Sequence, residues 1–327
     1  MAYEKERRIG ITAVRLASSL CQKVQKRLVS DATLTKGDRS PVTVADFGAQ
    51  AIISHLLEQR FADDPLVGEE DAQALREDNN AGLKEQVTTA VQELLPDLDE
   101  AAILASIDRG VYPGGATGRH WVLDPIDGTK GFLRIEQYAI ALGLIQDGEV
   151  VLGVLGCPNL PHPNGTKGCL FVAVKGEGAY MQSLSEDSAE SRIFVSTTTN
   201  SSRARFCESV EKAHSSHSNA AQIALQLGIT KPPFRIDSQC KYAAVARGDA
   251  SIYLRLPTRK DYVEKIWDHA AGWRIIIEAG GQVTDVRGQP LDFSLGRGLS
   301  NNSGVIVTNG LIHDQVIKAV KSVLKLN

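Results

Sequence analysis

Apolar residues recur every three or four positions near the start of the chain, which is the spacing of one face of an α-helix. The members of this pattern are Ile11, Val14, Ala17, Leu20, Val24 and Leu28. A polar turn containing Gly37 and Pro41 follows. A second helix is predicted over 44–61, with Asp46 in its first turn, where the helix dipole favours an anion.

Shorter apolar runs bounded by turn residues predict strands further along the chain. The run at 63–71 is the first of these, and it ends in the acid pair Glu69 and Glu70. Tight turns at 146–149 and 175–178 join two later pairs of apolar runs, which indicates antiparallel hairpins.

A polar segment at 183–191 separates two kinds of pattern. Beyond it, strand-like runs alternate with helical stretches, which predicts a mixed α/β sheet. We therefore predict an α+β domain with an antiparallel sheet over 1–191 and an α/β domain with a mixed sheet over 192–327. The length of 327 residues fits two packed subdomains better than one core.

Composition narrows the class of protein. The formal net charge is -3 and the pI is about 6.2, so no basic excess indicates a nucleic-acid partner. No apolar run approaches the ~20 residues of a membrane span, and no signal or transit segment is recognised. The cysteines are scattered and lack a Cys-x-x-Cys pair, which favours reduced thiols inside the cell. We expect a cytoplasmic monomer with a small-molecule substrate and no membrane contact.

The motif HWVLDPIDGTKGFLR carries the most specific chemistry. An apolar run stops at Asp124, and a second acid, Asp127, follows across a turn whose proline restricts the backbone. Both carboxylates and the Ile126 carbonyl could therefore point into one cavity. Thr129 offers a hydroxyl that could orient a water, and it is expected to begin a helix whose N–H groups face a phosphate.

Phosphate-ester hydrolysis near neutral pH requires that the phosphate charge be neutralised and that a water be made nucleophilic. Carboxylates that hold Mg²⁺ with open coordination positions achieve both. Glu69 follows a predicted strand, and Asp268 begins an apolar helix, so both could join this set. Taken singly, each acid is more often a solvated residue, a first-turn acid or a helix cap.

The motifs GEE, DPIDGT and WDHAAG, in that order and preceded by PVTVADFGAQ, resemble those of one superfamily. It is the inositol monophosphatase superfamily of lithium-sensitive, Mg²⁺-dependent phosphatases, and the resemblance is closest to its 3′(2′),5′-bisphosphate nucleotidase branch. The resemblance covers nearly the whole chain. It implies a layered α-β-α-β-α sandwich of the inositol monophosphatase and fructose-1,6-bisphosphatase type, and a link to sulfate assimilation and salt tolerance.

The resemblance also implies a metal site with two or three Mg²⁺ ions. Glu69, Asp124 and the Ile126 carbonyl would bind a first ion, and Asp124, Asp127 and Asp268 would bind a second. These assignments are carried over by motif position and give each acid a defined role.

A third ion or its waters would be held by Asp46 with Glu69. Asp46 and Thr129 match the pair that takes a proton from the attacking water in this superfamily. A threonine hydroxyl is a poor base alone, so Thr129 would relay the proton and orient the water.

Substrate choice must come from the second half of the chain, because the acids are shared across the superfamily. In RIDSQCKY, Ser238 and Lys241 lie at a predicted helix start with Asp237 as a candidate N-cap, an arrangement that can cradle a phosphate. Arg255 alternates with apolar neighbours and needs a partner, either a phosphate or a protein carboxylate. The predicted substrate-binding residues are Thr129, His214, Ser238, Lys241, Arg255 and Asp268, of which His214 matches a nucleotide contact in the resemblance.

We therefore expect a Mg²⁺-dependent phosphatase that removes the 3′-phosphate of adenosine 3′,5′-bisphosphate, and that also acts on 3′-phosphoadenosine 5′-phosphosulfate. Two alternatives stay open: a phosphatase for inositol 1,4-bisphosphate or another sugar phosphate, and a non-catalytic nucleotide sensor. Two positions depart from the superfamily pattern. Ile135 stands where relatives carry glycine, and Cys240 stands where alanine is usual.

Overall fold

The structure is a computed structural model that describes residues 2–30, 40–184, 189–210, 217–259 and 261–326. Its α-helices are α1 (Glu4–Ser30), α2 (Ser40–Glu58), α3 (Ala81–Gln92), α4 (Glu100–Asp108), α5 (Thr129–Leu133), α6 (His217–Gln226), α7 (Cys240–Ala246), α8 (Ala270–Glu278) and α9 (His313–Leu324). Its strands are β1 (Leu66–Gly68), β2 (Arg119–Asp127), β3 (Ala139–Gln146), β4 (Glu149–Pro161), β5 (Lys167–Val174), β6 (Gly178–Ser183), β7 (Ser191–Ile193), β8 (Phe206–Glu208), β9 (Phe234–Arg235), β10 (Ile252–Arg255), β11 (Gln282–Thr284) and β12 (Val305–Thr308).

The strands form two sheets. The first follows chain order from β1 to β7, with β1 parallel to β2 and every later pair antiparallel. The second has the order β11-β12-β10-β8-β9 and mixes parallel with antiparallel pairs. The predicted hairpins, β3–β4 and β5–β6, and the predicted mixed sheet are confirmed.

Helices separate and cover these sheets in five layers. α1 and α2 pack on one face of the first sheet, and α8 packs on its other face. α7 packs beside α8 in the layer between the two sheets, while α9 packs on β12 and on α6 at the outer face. Gly153 of β4 shows how closely α8 approaches, since an added Cβ would lie 2.5 Å from the Ala271 carbonyl oxygen. The predicted α-β-α-β-α sandwich is therefore confirmed.

Two local predictions near the site are wrong. β2 does not stop at Asp124 but continues to Asp127, because Pro125 lies at a register shift where its missing N–H breaks no ladder bond. α2 begins at Ser40, so Asp46 lies beyond the first turn. Pro41 is part of α2 and not of the turn before it, because proline is tolerated in the first turn of a helix.

The predicted division at 191/192 falls inside β7, the last strand of the first sheet, and the two domains stay a prediction. All five cysteines are free and buried. Across the described ranges, no helix combines the length and apolar character needed to cross a membrane.

Candidate active site

A cavity of about 520 Å³ lies where the ends of several elements meet. β2 and α5 form one wall, and α7, β10 and the 3₁₀ turn Ile266–Asp268 form the other. The predicted site residues that line it are Glu69, Asp124, Ile126, Asp127, Thr129, Ser238, Lys241, Arg255 and Asp268. The fold therefore brings together residues that are far apart in the sequence.

The acids of the cavity lie close together and repel one another; Asp124 is buried, Asp127 and Asp268 are half-buried, and Glu69 is exposed. Desolvation inside the cavity, then the charge of Asp268, raises the pKa of Glu69 to about 8 and that of Asp127 to about 6. Asp124 is only 2% exposed, and burial followed by the charge of Glu69 raises its pKa well above the ordinary value. Such a cluster is unfavourable without positive charge close by.

Asp46 does not line the cavity but faces the same acids from α2. It is buried, and burial, then the charges of Glu70 and Glu69, raise its pKa. Its predicted place beside the metal acids is compatible with this position. Its role in proton transfer stays a prediction.

These residues fit a hard divalent cation. The donors are carboxylate oxygens, which Mg²⁺ prefers. The buried Oδ1 atom of Asp124 has no hydrogen-bond partner among the described residues, so it is available to an ion. Glu69, Asp124, Asp127 and Asp268 would hold such an ion.

A different acid group is more tightly clustered. In the described part of the chain, the only trio of acid or histidine side chains with ligand atoms all within 4.8 Å is Glu264, Asp268 and His269. The Arg255 guanidinium already contacts both of its carboxylates. We therefore interpret this trio as an ion-pair network.

The loop between Asp127 and α5 packs directly on the opposite wall. Gly128 has a φ of +96°, and an added Cβ would lie 2.9 Å from the Cβ of Ser238. Glycine is therefore required for both the backbone angle and the close approach. Thr129 is the first residue of α5, as predicted, and it lines the cavity together with Asp127.

Gln239 links the two walls, and the sequence analysis did not select it. Its backbone N–H donates to Asp127 Oδ2 at 2.6 Å. Its side-chain amide donates to the Trp267 carbonyl at 2.8 Å and accepts from the Gly272 N–H at 3.1 Å. The signal available in the sequence was its place inside RIDSQCKY, between two selected residues.

The predicted N-cap role of Asp237 is wrong. α7 begins at Cys240, and Asp237 instead accepts hydrogen bonds from the Ser209 hydroxyl and Arg134 Nη2, each at 2.5 Å. Ser238 has a φ of +65°, and its Oγ donates to the Asp237 carbonyl and accepts from the Cys240 N–H. Asp237 therefore anchors the turn that presents Ser238 to the cavity.

Lys241 brings a buried cation into the cavity that the acids line. The residue is 7% exposed, and its Nζ lies 5.2 Å from the centre of the Tyr253 ring. Within the described ranges the ammonium forms no salt bridge, and burial lowers its pKa. A buried lysine of this kind favours an anionic ligand.

Arg255 also lines the cavity, but protein carboxylates already bind it. Its Nε lies 2.7 Å from Glu264 Oε2, and its Nη2 donates to Asp268 Oδ2 at 3.0 Å. This pairing is the alternative that the sequence left open. A phosphate contact by Arg255 stays a prediction.

The remaining selected positions have mixed outcomes. His214 lies outside the described residues. Ile135 has a φ of +61° at the end of α5, where its N–H donates to the Phe132 carbonyl and the next N–H donates to Gly131. This is a Schellman ending, which favours glycine.

Cys240 is fully buried, with its Sγ 3.3 Å from the Tyr138 carbonyl oxygen, and packs as a small residue.

The fold and the acid cavity are those of a metal-dependent phosphatase, and the chain belongs to the inositol monophosphatase family, whose model matches residues 4–325. This family is generally Mg²⁺-dependent. An inositol monophosphatase from Zymomonas mobilis aligns with a TM-score of 0.65 and 21% identity, covering 98% of this chain and 99% of that one, and supports the fold alone.

Two curated relatives are more specific. The 3′(2′),5′-bisphosphate nucleotidase of Emericella nidulans is 47% identical over 100% of both chains. The 3′(2′),5′-bisphosphate nucleotidase 1 of Arabidopsis thaliana is 49% identical over 98% of this chain and 97% of the relative. The chain is thus similar to bisphosphate nucleotidases over its full length.

Proposed function

We propose that the chain hydrolyses the 3′-phosphate of adenosine 3′,5′-bisphosphate, giving AMP and phosphate. It also converts 3′-phosphoadenosine 5′-phosphosulfate to adenosine 5′-phosphosulfate. The observation that carries the proposal is that the cluster of acids and the buried Lys241 line one cavity, while the Lys241 ammonium forms no salt bridge within the described residues. A substrate with two phosphates can place one at the acids and their metal ions and the other at Lys241, and the names of the two relatives agree with such a substrate.

The acids hold the metal ions that would bind the phosphate that is cleaved. Two or three Mg²⁺ ions, when bound, neutralise the phosphate charge and make a water nucleophilic. Glu69, Asp124, Asp127 and Asp268, with the Ile126 carbonyl, supply the oxygen ligands. Their mutual repulsion makes them receptive to cations.

Asp46 and Thr129 act on the attacking water. The Thr129 hydroxyl orients it and relays its proton, and Asp46 receives the proton. The position of Thr129 at the cavity, and the charge contact of Asp46 with Glu69, support this division of roles.

Three polar residues of the same cavity hold the 5′-phosphate. Lys241 supplies the charge, Ser238 supplies a hydroxyl, and Arg255 reaches the same cavity while it stays paired with Glu264. His214 contacts the nucleotide by analogy with the family.

One experiment tests the substrate. Phosphate release is measured from adenosine 3′,5′-bisphosphate, inositol 1,4-bisphosphate and inositol 1-phosphate at identical Mg²⁺. We expect the nucleotide to have the highest kcat/KM. A preference for inositol 1,4-bisphosphate would establish the sugar-phosphate alternative, and nucleotide binding without any phosphate release would establish the sensor.

We also propose that the enzyme works as a monomer in the cytoplasm. Sedimentation of the purified protein and imaging of a tagged chain test these two points.

A further inference from the structure

A buried chain of hydrogen bonds runs behind the cavity and ends on Arg255. The Tyr242 hydroxyl lies 2.8 Å from His269 Nδ1, and His269 Nε2 lies 3.3 Å from Glu264 Oε2. The same Glu264 oxygen lies 2.7 Å from Arg255 Nε. Tyr242, His269 and Glu264 are at most 5% exposed, and none of the three lines the cavity. Their hydrogen bonds reach the cavity through Arg255, while the Tyr242 ring also packs edge-on against Tyr253, which lines the cavity.

Each member of this chain has a hydrogen-bond partner. A carboxylate only accepts, so His269 Nε2 donates to Glu264. The Tyr242 hydroxyl and His269 Nδ1 share the hydrogen bond at the other side of the ring. The Tyr242 ring is itself held against α8, since an added Cβ on Gly272 would lie 2.4 Å from it. The Glu264 carboxylate consequently has a fixed orientation.

Glu264 transfers this orientation to the guanidinium. Arg255 has a planar fork of N–H donors, and two of its nitrogens are engaged by Glu264 and Asp268. Two contacts in one plane fix the rotation of the fork. The Arg255 side chain is 21% exposed and lines the cavity together with Lys241. A fork held in this way meets an anion without first having to be ordered.

We propose that Glu264 is a positioning residue that orients Arg255 and thereby sets the preference for substrates with a second phosphate. This inference rests on the proposed function. Its measure is the selectivity ratio, defined as kcat/KM for adenosine 3′,5′-bisphosphate divided by kcat/KM for 3′-AMP.

The test compares two substitutions at one position. Glu264→Ala removes the support, and we expect the selectivity ratio to fall about tenfold, mainly through a higher KM for the bisphosphate. Glu264→Gln keeps an oxygen that can accept from Arg255 Nε, so it is expected to restore the ratio to within about threefold of the wild type. Tyr242→Phe removes only the far hydroxyl and is expected to lower the ratio about twofold. If Glu264→Ala does not fold, Tyr242→Phe decides the matter: a lowered ratio supports the inference, and an unchanged ratio overturns it.

The control is Glu278→Gln. Glu278 is also shielded from solvent and paired with an arginine, Arg274, at 3.0 Å, but it lies outside the cavity. We expect an unchanged selectivity ratio in this variant, whatever its thermal stability.

Three outcomes overturn the inference: an equal loss on both substrates, a ratio that rises because Glu264 competes with phosphate for Arg255, and a ratio unchanged in every Glu264 variant. If the wild type does not prefer the bisphosphate at all, the proposed function fails as well. A wild-type preference combined with unchanged variants leaves the proposed function intact and removes only the role of Glu264.

Discussion

Lys241 offers the sharpest test of how the substrate is recognised. The substitution is Lys241→Met, which keeps the length and apolar stem of the side chain and removes its charge. The residue is 7% exposed, and its ammonium forms no salt bridge in the described part of the chain, so a phosphate would be its main ionic partner. We expect the variant to lose activity on the bisphosphate specifically.

The size of the loss follows from this burial. A hydrogen bond to a charged group is worth about 1.5–3 kcal/mol, which corresponds to a 10- to 150-fold change in kcat/KM. Water screens little at a buried site, so we expect a loss near the upper limit, about 100-fold. Hydrolysis of 3′-AMP, which lacks the 5′-phosphate, should change by less than about threefold.

The assay is steady-state phosphate release from both substrates at one Mg²⁺ concentration, with thermal melting of each variant. Lys175→Met serves as the control, because the Lys175 side chain is 50% exposed and lies away from the cavity. Burial lowers the pKa of Lys241, so the free protein gains little from its charge and should not melt earlier without it. An equal loss on both substrates with a lower melting temperature would refute the reasoning and make Lys241 a structural residue.

Four further outcomes are expected. Asp127→Asn should abolish most turnover without unfolding the protein, and near-normal activity at modest Mg²⁺ would remove Asp127 from the metal site. Thr129→Ala should lower kcat far more than it raises KM, whereas a pure KM effect would make Thr129 a substrate contact. When EDTA removes the metal, the folded protein should be more stable at low pH. Desolvation and the charge of Asp268 raise the pKa of Asp127 to about 6 and that of Glu69 to about 8, so the folded state binds protons more tightly than the unfolded state. That stability is lost as the pH rises through 6 to 8, and Mg²⁺ should oppose the loss; melting temperatures at pH 5, 7 and 9 that do not differ in EDTA would contradict this. In urea unfolding, the free energy of unfolding of Ile135→Gly should exceed that of Ile135→Ala by about 1 kcal/mol. Both substitutions remove the side chain, but only glycine adopts a φ of +61° freely. Equal free energies of unfolding would show that this backbone angle carries no cost.

Much of the architecture could be read from the chain. The long first helix, the two hairpins and the start of α5 at Thr129 were predicted from periodicity and turn residues. These features depend on neighbours within a few positions, so local sequence determines them. The five-layer arrangement was predicted only through resemblance to a family, since layer order depends on long-range packing.

The partners of individual charged side chains required the tertiary structure. Arg255 is paired with Glu264 and Asp268, and Asp237 holds Arg134 rather than capping α7. No spacing rule gives these pairs, because they join elements that meet only after both sheets have formed. The sequence by itself determined which acids and cations are present and which local elements carry them. Only the fold decided which of them are desolvated together, and burial beside like or opposite charge is what sets their pKa and their chemistry.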